Sequence, residues 1–274
     1  MNCKFLAVIA LLLEAVVCQG WVVADDSCPS WLLPRVGLEN LLRKSPTGLF
    51  PDFYAAPVFP FVIEPAEQTV RVELKEMTAS EAQLILDNAF EESPSAVFLV
   101  HVTGAISVSS VPLSVHDRTC MFLENDAQFV ATAGCTADSL LSVLDGEYVS
   151  ITGSYDPRER DFSDQKYMFS GNGVVRSGIR IEKSGRVHLD RISVTRCKDA
   201  GISITGRGPE QYDHAVSLTR SVVSNCQGDG VRVRQSPACI VLDSRITLIA
   251  SAALIIDSPS AVVANTVCGD SGAG

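Results

Sequence analysis

The 274 residues carry 32 acidic and 22 basic side chains, a formal net charge of −10 and a pI near 4.9. That balance excludes general binding to nucleic-acid backbones, which takes a clustered surplus of Lys and Arg. The length suffices to bury one sizeable core, and one main domain is expected.

Lys4 followed by the apolar run Phe5 to Leu13 has the charged and apolar parts of an export signal. Small residues place the cleavage after Gly20 or after Ala24, so residues 1–24 are assigned to a signal peptide and the protein is expected to be secreted or held at the cell surface. The run is shorter than the ~20 apolar residues of a membrane span, and no transmembrane domain is expected beyond it. An uncleaved N-terminal anchor is the alternative. Removal of the signal leaves an odd set of cysteines: Cys28, Cys120, Cys135, Cys197, Cys226, Cys239 and Cys268. Cys120 with Cys135 is a candidate disulfide pair. Several of the others fall at inward positions of the repeat described below, where a free thiol acts as a small hydrophobe.

Residues 25–78 read as an irregular, partly helical segment and linker. Trp31 to Arg43 forms a short amphipathic candidate, and Pro46 to Pro65, rich in Pro and Phe, reads as linker. A helix is expected over Ser80 to Glu91. Thr78 and Glu81 have capping-box spacing, and Ala82, Ile85, Leu86, Ala89 and Phe90 share one face.

Residues 79–274 are assigned to a single all-β domain on the strength of an internal period. Gly178-Ile-Arg-Ile181, Gly201-Ile-Ser-Ile204, Gly230-Val-Arg-Val233 and Ala253-Leu-Ile-Ile256 recur at steps of 23, 29 and 23 residues. The long step holds an inserted polar loop around Gly206 to Asp213. With that loop removed, Val187, Val216, Cys239 and Val262 coincide, as do Leu189, Leu218, Val241 and Ala264, then Val194, Val223 and Ile246, then Cys197, Cys226 and Ile249. Apolar and polar residues alternate within each run, the period of a half-buried strand. Weaker coils are legible in Ala105-Ile-Ser-Val-Ser109, Thr119 to Glu124, Ser139 to Leu144 and Tyr148 to Thr152, with Tyr155 to Lys166 as a long loop. Several short strands per unit of about 23 residues are the mark of a β-solenoid, and the helix is placed to cover its first coil. The repeat runs to Gly274 without a capping segment, so the sequence is read as part of a longer protein.

Cys197-Lys-Asp-Ala-Gly-Ile-Ser-Ile204 and Asn225-Cys-Gln-Gly-Asp-Gly-Val-Arg-Val233 resemble the Asn-x-x-x-Asp-Gly-Ile-x-Ile coil of the right-handed β-helix repeat proteins of the pectin-lyase-like superfamily. The resemblance runs from about Ala79 to the end. It implies a right-handed parallel β-helix with an N-terminal capping helix. The succession of helix, Val97 to Val100, Val111 to Val115 and Met121 to Asn125 is similar to the opening of the superfamily's polysaccharide lyases and hydrolases. The hydrolase branch's Asn-Thr-Asp and His-Gly motifs do not occur here. At Gly228-Asp229-Gly230 glycine stands where a second carboxylate would, so paired-carboxylate hydrolysis lacks a partner.

Alternation turns Ile179 and Ile181 inward and Arg180 and Glu182 outward. Arg180, Ser203 and Arg232 then stack in one column, with Glu182, Thr205, Arg234 and Asp257 in the next. The resemblance to the lyase branch implies that Arg180 or Arg232 acts as base on an anionic sugar. It further implies that Arg234, Thr205, Glu182 and Asp257 contact substrate, and that Asp199 and Asp229 bind Ca2+. Arg also suits paired hydrogen bonds to a uronate. The bland alternative is a solvated strand face with cross-coil charge pairing, in which the two aspartates serve turns. His188 and His214 lack a placed partner and read as structural. The function expected is that of a secreted β-helix protein contacting carbohydrate, as a lyase or epimerase on acidic polysaccharide. A noncatalytic binding or adhesion scaffold is the alternative.

Overall fold

A computed structural model describes residues 69–154, 157–159, 167–206, 215–236, 238–258 and 260–271, all within one unit, Glu67–Gly274. The signal at 1–24, the helix candidate 31–43 and the linker 46–65 lie outside the described residues. So do most of the loop 155–166 and nearly all of the inserted loop 206–213.

The chain winds through three parallel faces, one strand per face per turn, the first two joined through β2 into one 14-stranded sheet and the third a six-stranded sheet. The first face begins with the N-terminal half of β2 (Val97–Val108) and continues with β4 (Thr119–Leu123), β7 (Glu147–Gly153), β10 (Gly185–Asp190), β13 (Ala215–Thr219), β16 (Ala238–Leu242) and β19 (Ser260–Ala264). The second begins with the C-terminal half of β2 and continues with β5 (Gln128–Ala131), β8 (Phe169–Ser170), β11 (Ser193–Thr195), β14 (Val222–Cys226), β17 (Arg245–Ile249) and β20 (Val267–Ser271). The third comprises β3 (Leu113–Ser114), β6 (Ser139–Leu144), β9 (Ser177–Glu182), β12 (Ala200–Thr205), β15 (Asp229–Arg234) and β18 (Leu254–Asp257). Gly104, at φ 68°, lets β2 bend from the first face to the second without a break.

Inward residues stack in columns. Ile179, Ile202, Val231 and Leu254 are in register on the third face. Phe129, Phe169, Val194, Val223 and Ile246 are in register on the second, and the rings of Phe129 and Phe169 stack at 4.9 Å. Corners are made by residues in the left-handed region, most of them stacked: Arg191, Arg220, Asp243 and Asn265 at one corner, Arg196, Asn225 and Leu248 at another, with Asn172 one residue out of step on the preceding coil, and Asp145, Lys183 and Gln235 at the third. One such residue turns the chain sharply enough that two faces meet with almost no loop.

The N-terminal end is closed by two elements. β1 (Thr69–Thr78) runs parallel to β2 along both its halves, inside the segment 25–78 that was expected to be linker. Its Val70, Val72 and Leu74 alternate with Arg71, Glu73 and Lys75, a period-two signal as plain as those downstream. α1 (Ala79–Glu92) follows directly. Thr78 and Glu81 form the expected capping box, and Ala79, Ala82 and Leu86 are buried against the first coil.

The last coil departs from the expected register. Cys239 pairs with Ala261 and Val241 with Val263, not with Val262 and Ala264. The corner before β19 is one residue shorter than the corner before β16, so the step is 22 residues and every side chain of the strand changes face. Ser236-Pro237 and Ser258-Pro259 mark the same corner at that spacing. The expected Cys120–Cys135 disulfide is also absent. Both thiols are free, as are Cys197, Cys226, Cys239 and Cys268. Cys120 stands in the outward register of the first face beside Ser150, whereas Cys135 lies in the corner after β5.

Candidate functional site

On the third face Ile179, Ile181, Ile202, Ile204, Val231 and Val233 are buried, which turns Arg180, Ser203 and Arg232 outward. The glycine that opens these strands has a packing reason. A Cβ on Gly201 would collide with Val223 and crowd the Gly230 carbonyl. The register places Ser114, Ser142, Arg180, Ser203 and Arg232 in one outward column, with Leu144, Glu182, Thr205, Arg234 and Asp257 beside it. Both columns run as the alternation implied. Arg180 and Arg232 lie two strands apart, about 10 Å at ordinary strand spacing.

Each arginine is already matched by carboxylates. Arg232 donates from Nη1 and Nη2 to the two Asp199 oxygens at 3.0 and 2.8 Å, and from Nε to Asp229 Oδ2 at 2.7 Å. Asp229 Oδ1 accepts the Ala252 N–H at 3.2 Å. Arg176 adds a looser contact to Asp199 at 3.6 Å. Arg232 holds the Asp199 carboxyl below its ordinary pKa. Burial alone would raise Asp229, but the bonds from Arg232, Ser251 and Ala252 outweigh it and hold that carboxyl low too. In return the two aspartates, Asp199 foremost, raise the proton affinity of Arg232 against the opposing effect of burial. A guanidinium so held is the reverse of a general base. Asp199 and Asp229 therefore serve as counter-ions to Arg232, an arrangement that does not fit a calcium cage. No group of three or more His, Cys, Asp or Glu side chains among the described residues is placed to hold a metal ion.

Arg180 is bound more loosely. It donates from Nε to Glu182 Oε1 at 2.8 Å and stands 3.6 Å from Asp138. It also borders a cleft of about 580 Å3 between β3, β6 and the two preceding corners, lined by Gln83, Ser114, Asp138, Ser139 and Ser142 among others. None of these five residues was singled out from the sequence, although Leu141-Ser-Val143 repeats the pattern Ile179-Arg-Ile181 and would have extended the ladder upward. Gln83 reaches the cleft from α1. Its Oε1 accepts the Ser114 N–H at 2.6 Å, and its Nε2 donates to Asp87, which also meets His116 at 2.7 Å. Of the residues expected to contact substrate, Glu182 is bound to Arg180, Thr205 is half-buried, and Arg234 and Asp257 are exposed beside each other.

A second polar cluster lies on the first face. Asp190 is buried and receives Arg220 Nε and Thr219 Oγ1 at 2.8 and 2.7 Å, with Arg191 at 3.1 Å. Next to it His188 Nδ1 meets Ser217 Oγ at 2.6 Å. Burial lowers the His188 pKa.

A family model described as a right handed beta helix region matches residues 96–268. The chain belongs to the right-handed β-helix family. No curated protein and no solved structure matches it. In this β-helix, as in any fold that hosts unrelated activities, function has to be read from the surface of the coils. No described helix is long and apolar enough to cross a membrane.

Proposed function

We propose that this β-helix is an exported protein that contacts carbohydrate through the outer surface of its third face, acting as a binding scaffold. The observation that carries the reading is the fixed polar ladder. Hydroxyls of Ser114, Ser203 and Thr205 share this surface with Arg180 and Arg232, which neighbouring carboxylates already orient. Glycans offer hydroxyl donors and acceptors at a regular repeat, and a rigid ladder of matched groups meets them with little side-chain entropy lost on binding. Export is supported by Lys4 and the apolar run after it.

A second reading, a lyase or epimerase on acidic polysaccharide, is favoured by one feature: Arg180 borders the cleft and is tied less tightly than Arg232. The test is a panel of acidic and neutral polysaccharides with and without calcium, following binding, the ultraviolet absorbance of unsaturated products and, for epimerisation, uronate composition. Binding without turnover is the expected result. Product formation lost in Arg180→Ala but kept in Arg232→Ala would put the catalytic reading in its place.

A further inference from the structure

Along the third face the ladder meets a barrier at one end. β3 is its first strand, and the position a preceding strand would take is denied to it, because β1 pairs only with β2 and the chain then enters α1. Gln83 of α1, locked to the Ser114 N–H, stands at the head of the ladder. The cleft lies at that closed end. Its volume is within the range of about 300–1,000 Å3 common for small-molecule sites.

Ser139 marks it as a site. The residue is only 1 % exposed, its hydroxyl has no hydrogen-bond partner, and it lines the cleft. A buried hydroxyl without a partner is left with an unmet hydrogen bond, which a ligand hydroxyl would supply. The rest of the lining is amphipathic. Half-buried Ser114, backed by the buried Ser142 hydroxyl at 3.0 Å, offers a further hydroxyl, while Val111 and Leu144, 46 % and 49 % exposed, offer apolar surface of the kind that the C–H face of a sugar ring covers. Charge settles the class of ligand. Arg180 already faces two carboxylates, Glu182 and Asp138, so a further carboxylate brought into the cleft would meet an excess of negative charge.

We infer that the cleft binds the uncharged terminal residue of a glycan, so that the protein recognises chain ends. This rests on the third face being the carbohydrate surface. Recognition of a chain end follows from the barrier at α1: a glycan lying on the ladder cannot continue beyond β3.

The test uses the full chain and arrays of linear neutral oligosaccharides, three to six residues long, attached by their reducing ends, beside matched oligosaccharides ending in a uronate. Wild type is expected to bind the neutral set at least tenfold more tightly. Ser139→Val removes the hydroxyl at nearly constant volume, and Val111→Trp fills the mouth from an exposed turn. Each should weaken binding of the neutral set at least tenfold, with circular dichroism and melting temperature checked alongside. Preference for uronate ends, or binding that both variants leave unchanged, overturns the inference. If that unchanged binding is lost in Thr205→Ala or Arg234→Ala, the carbohydrate face stands and only the end-recognition falls. If wild type binds no member of either set and no polysaccharide, the carbohydrate face falls with it.

Discussion

Leu248 turns a corner of the helix at φ 56° with its side chain 53 % exposed. A β-carbon there meets the neighbouring carbonyl at a cost of about 1 kcal/mol, and the exposed leucyl group offers little packing in return. Asparagine is tolerated in that region, as Asn172 and Asn225 show at the same corner. Leu248→Asn is therefore expected to stabilise the fold by about 0.5–1 kcal/mol, read as a rise in denaturation midpoint at unchanged slope. The Arg232 clamp makes a prediction with a sign in pH. Asp199 and Asp229 both titrate below their unfolded values, near 3.9, in the folded protein. Their contribution is thus complete above about pH 4 and is lost as pH falls through the folded-state values. Arg232→Ala should cost about 2 kcal/mol at pH 7, because Asp229 is left buried with one partner fewer. The loss should shrink towards pH 3, which melting temperatures measured from pH 3 to 7 would show. A constant difference across that range would mean that the guanidinium contributes packing and not charge.

At the scale of elements, the second face depends on two aromatic rings that bridge successive coils. Phe129 and Phe169 are fully buried and stacked, yet β8 is only two residues long. Packing across the interior, more than the hydrogen bonds of so short a strand, holds that turn of the helix. Phe169→Ala should destabilise by about 3–5 kcal/mol in chemical denaturation, while Phe169→Leu should cost about 1–2 kcal/mol. Legibility at this scale followed repetition. β9, β12 and β15 were readable because their alternating residues recur at matched spacing. α1 was readable because Thr78 and Glu81 carry its start signal and its apolar face repeats at helical spacing. β3 and β8, two residues each, are too short to show any period, and their strand character comes from the coils on either side. β1 was legible by alternation but isolated from the repeat, and the Pro- and Phe-rich stretch before it drew the segment into the linker.

Over the molecule as a whole, stability is distributed as in other solenoids: each coil leans on its neighbours, and the ends are weakest. α1 and β1 cover the N-terminal end, while Val263 and Val267 of the last described coil are 45 % and 57 % exposed, and Leu254 and Ile256 are only partly buried. Hydrogen exchange should accordingly be fastest in β18, β19 and β20 and slowest in the middle coils, around β9 and β12. Uniform protection along the axis would contradict this. Residue spacing alone sufficed for a β-solenoid, for the helix that precedes it and for the outward columns of the third face, because a stacked coil stamps its period on the chain and alternation assigns each side chain a face; the right-handed β-helix was implied by the resemblance of its coils to that family. Spacing could not show that Arg180 and Arg232 are each occupied by carboxylates, or that Gln83, Ser114 and Ser139 border one cleft. Those groupings draw on helix, corner and strand and include pairs distant in the chain, such as Asp199 with Arg232 and Gln83 with Ser114, which only the winding of the chain brings within reach of one another.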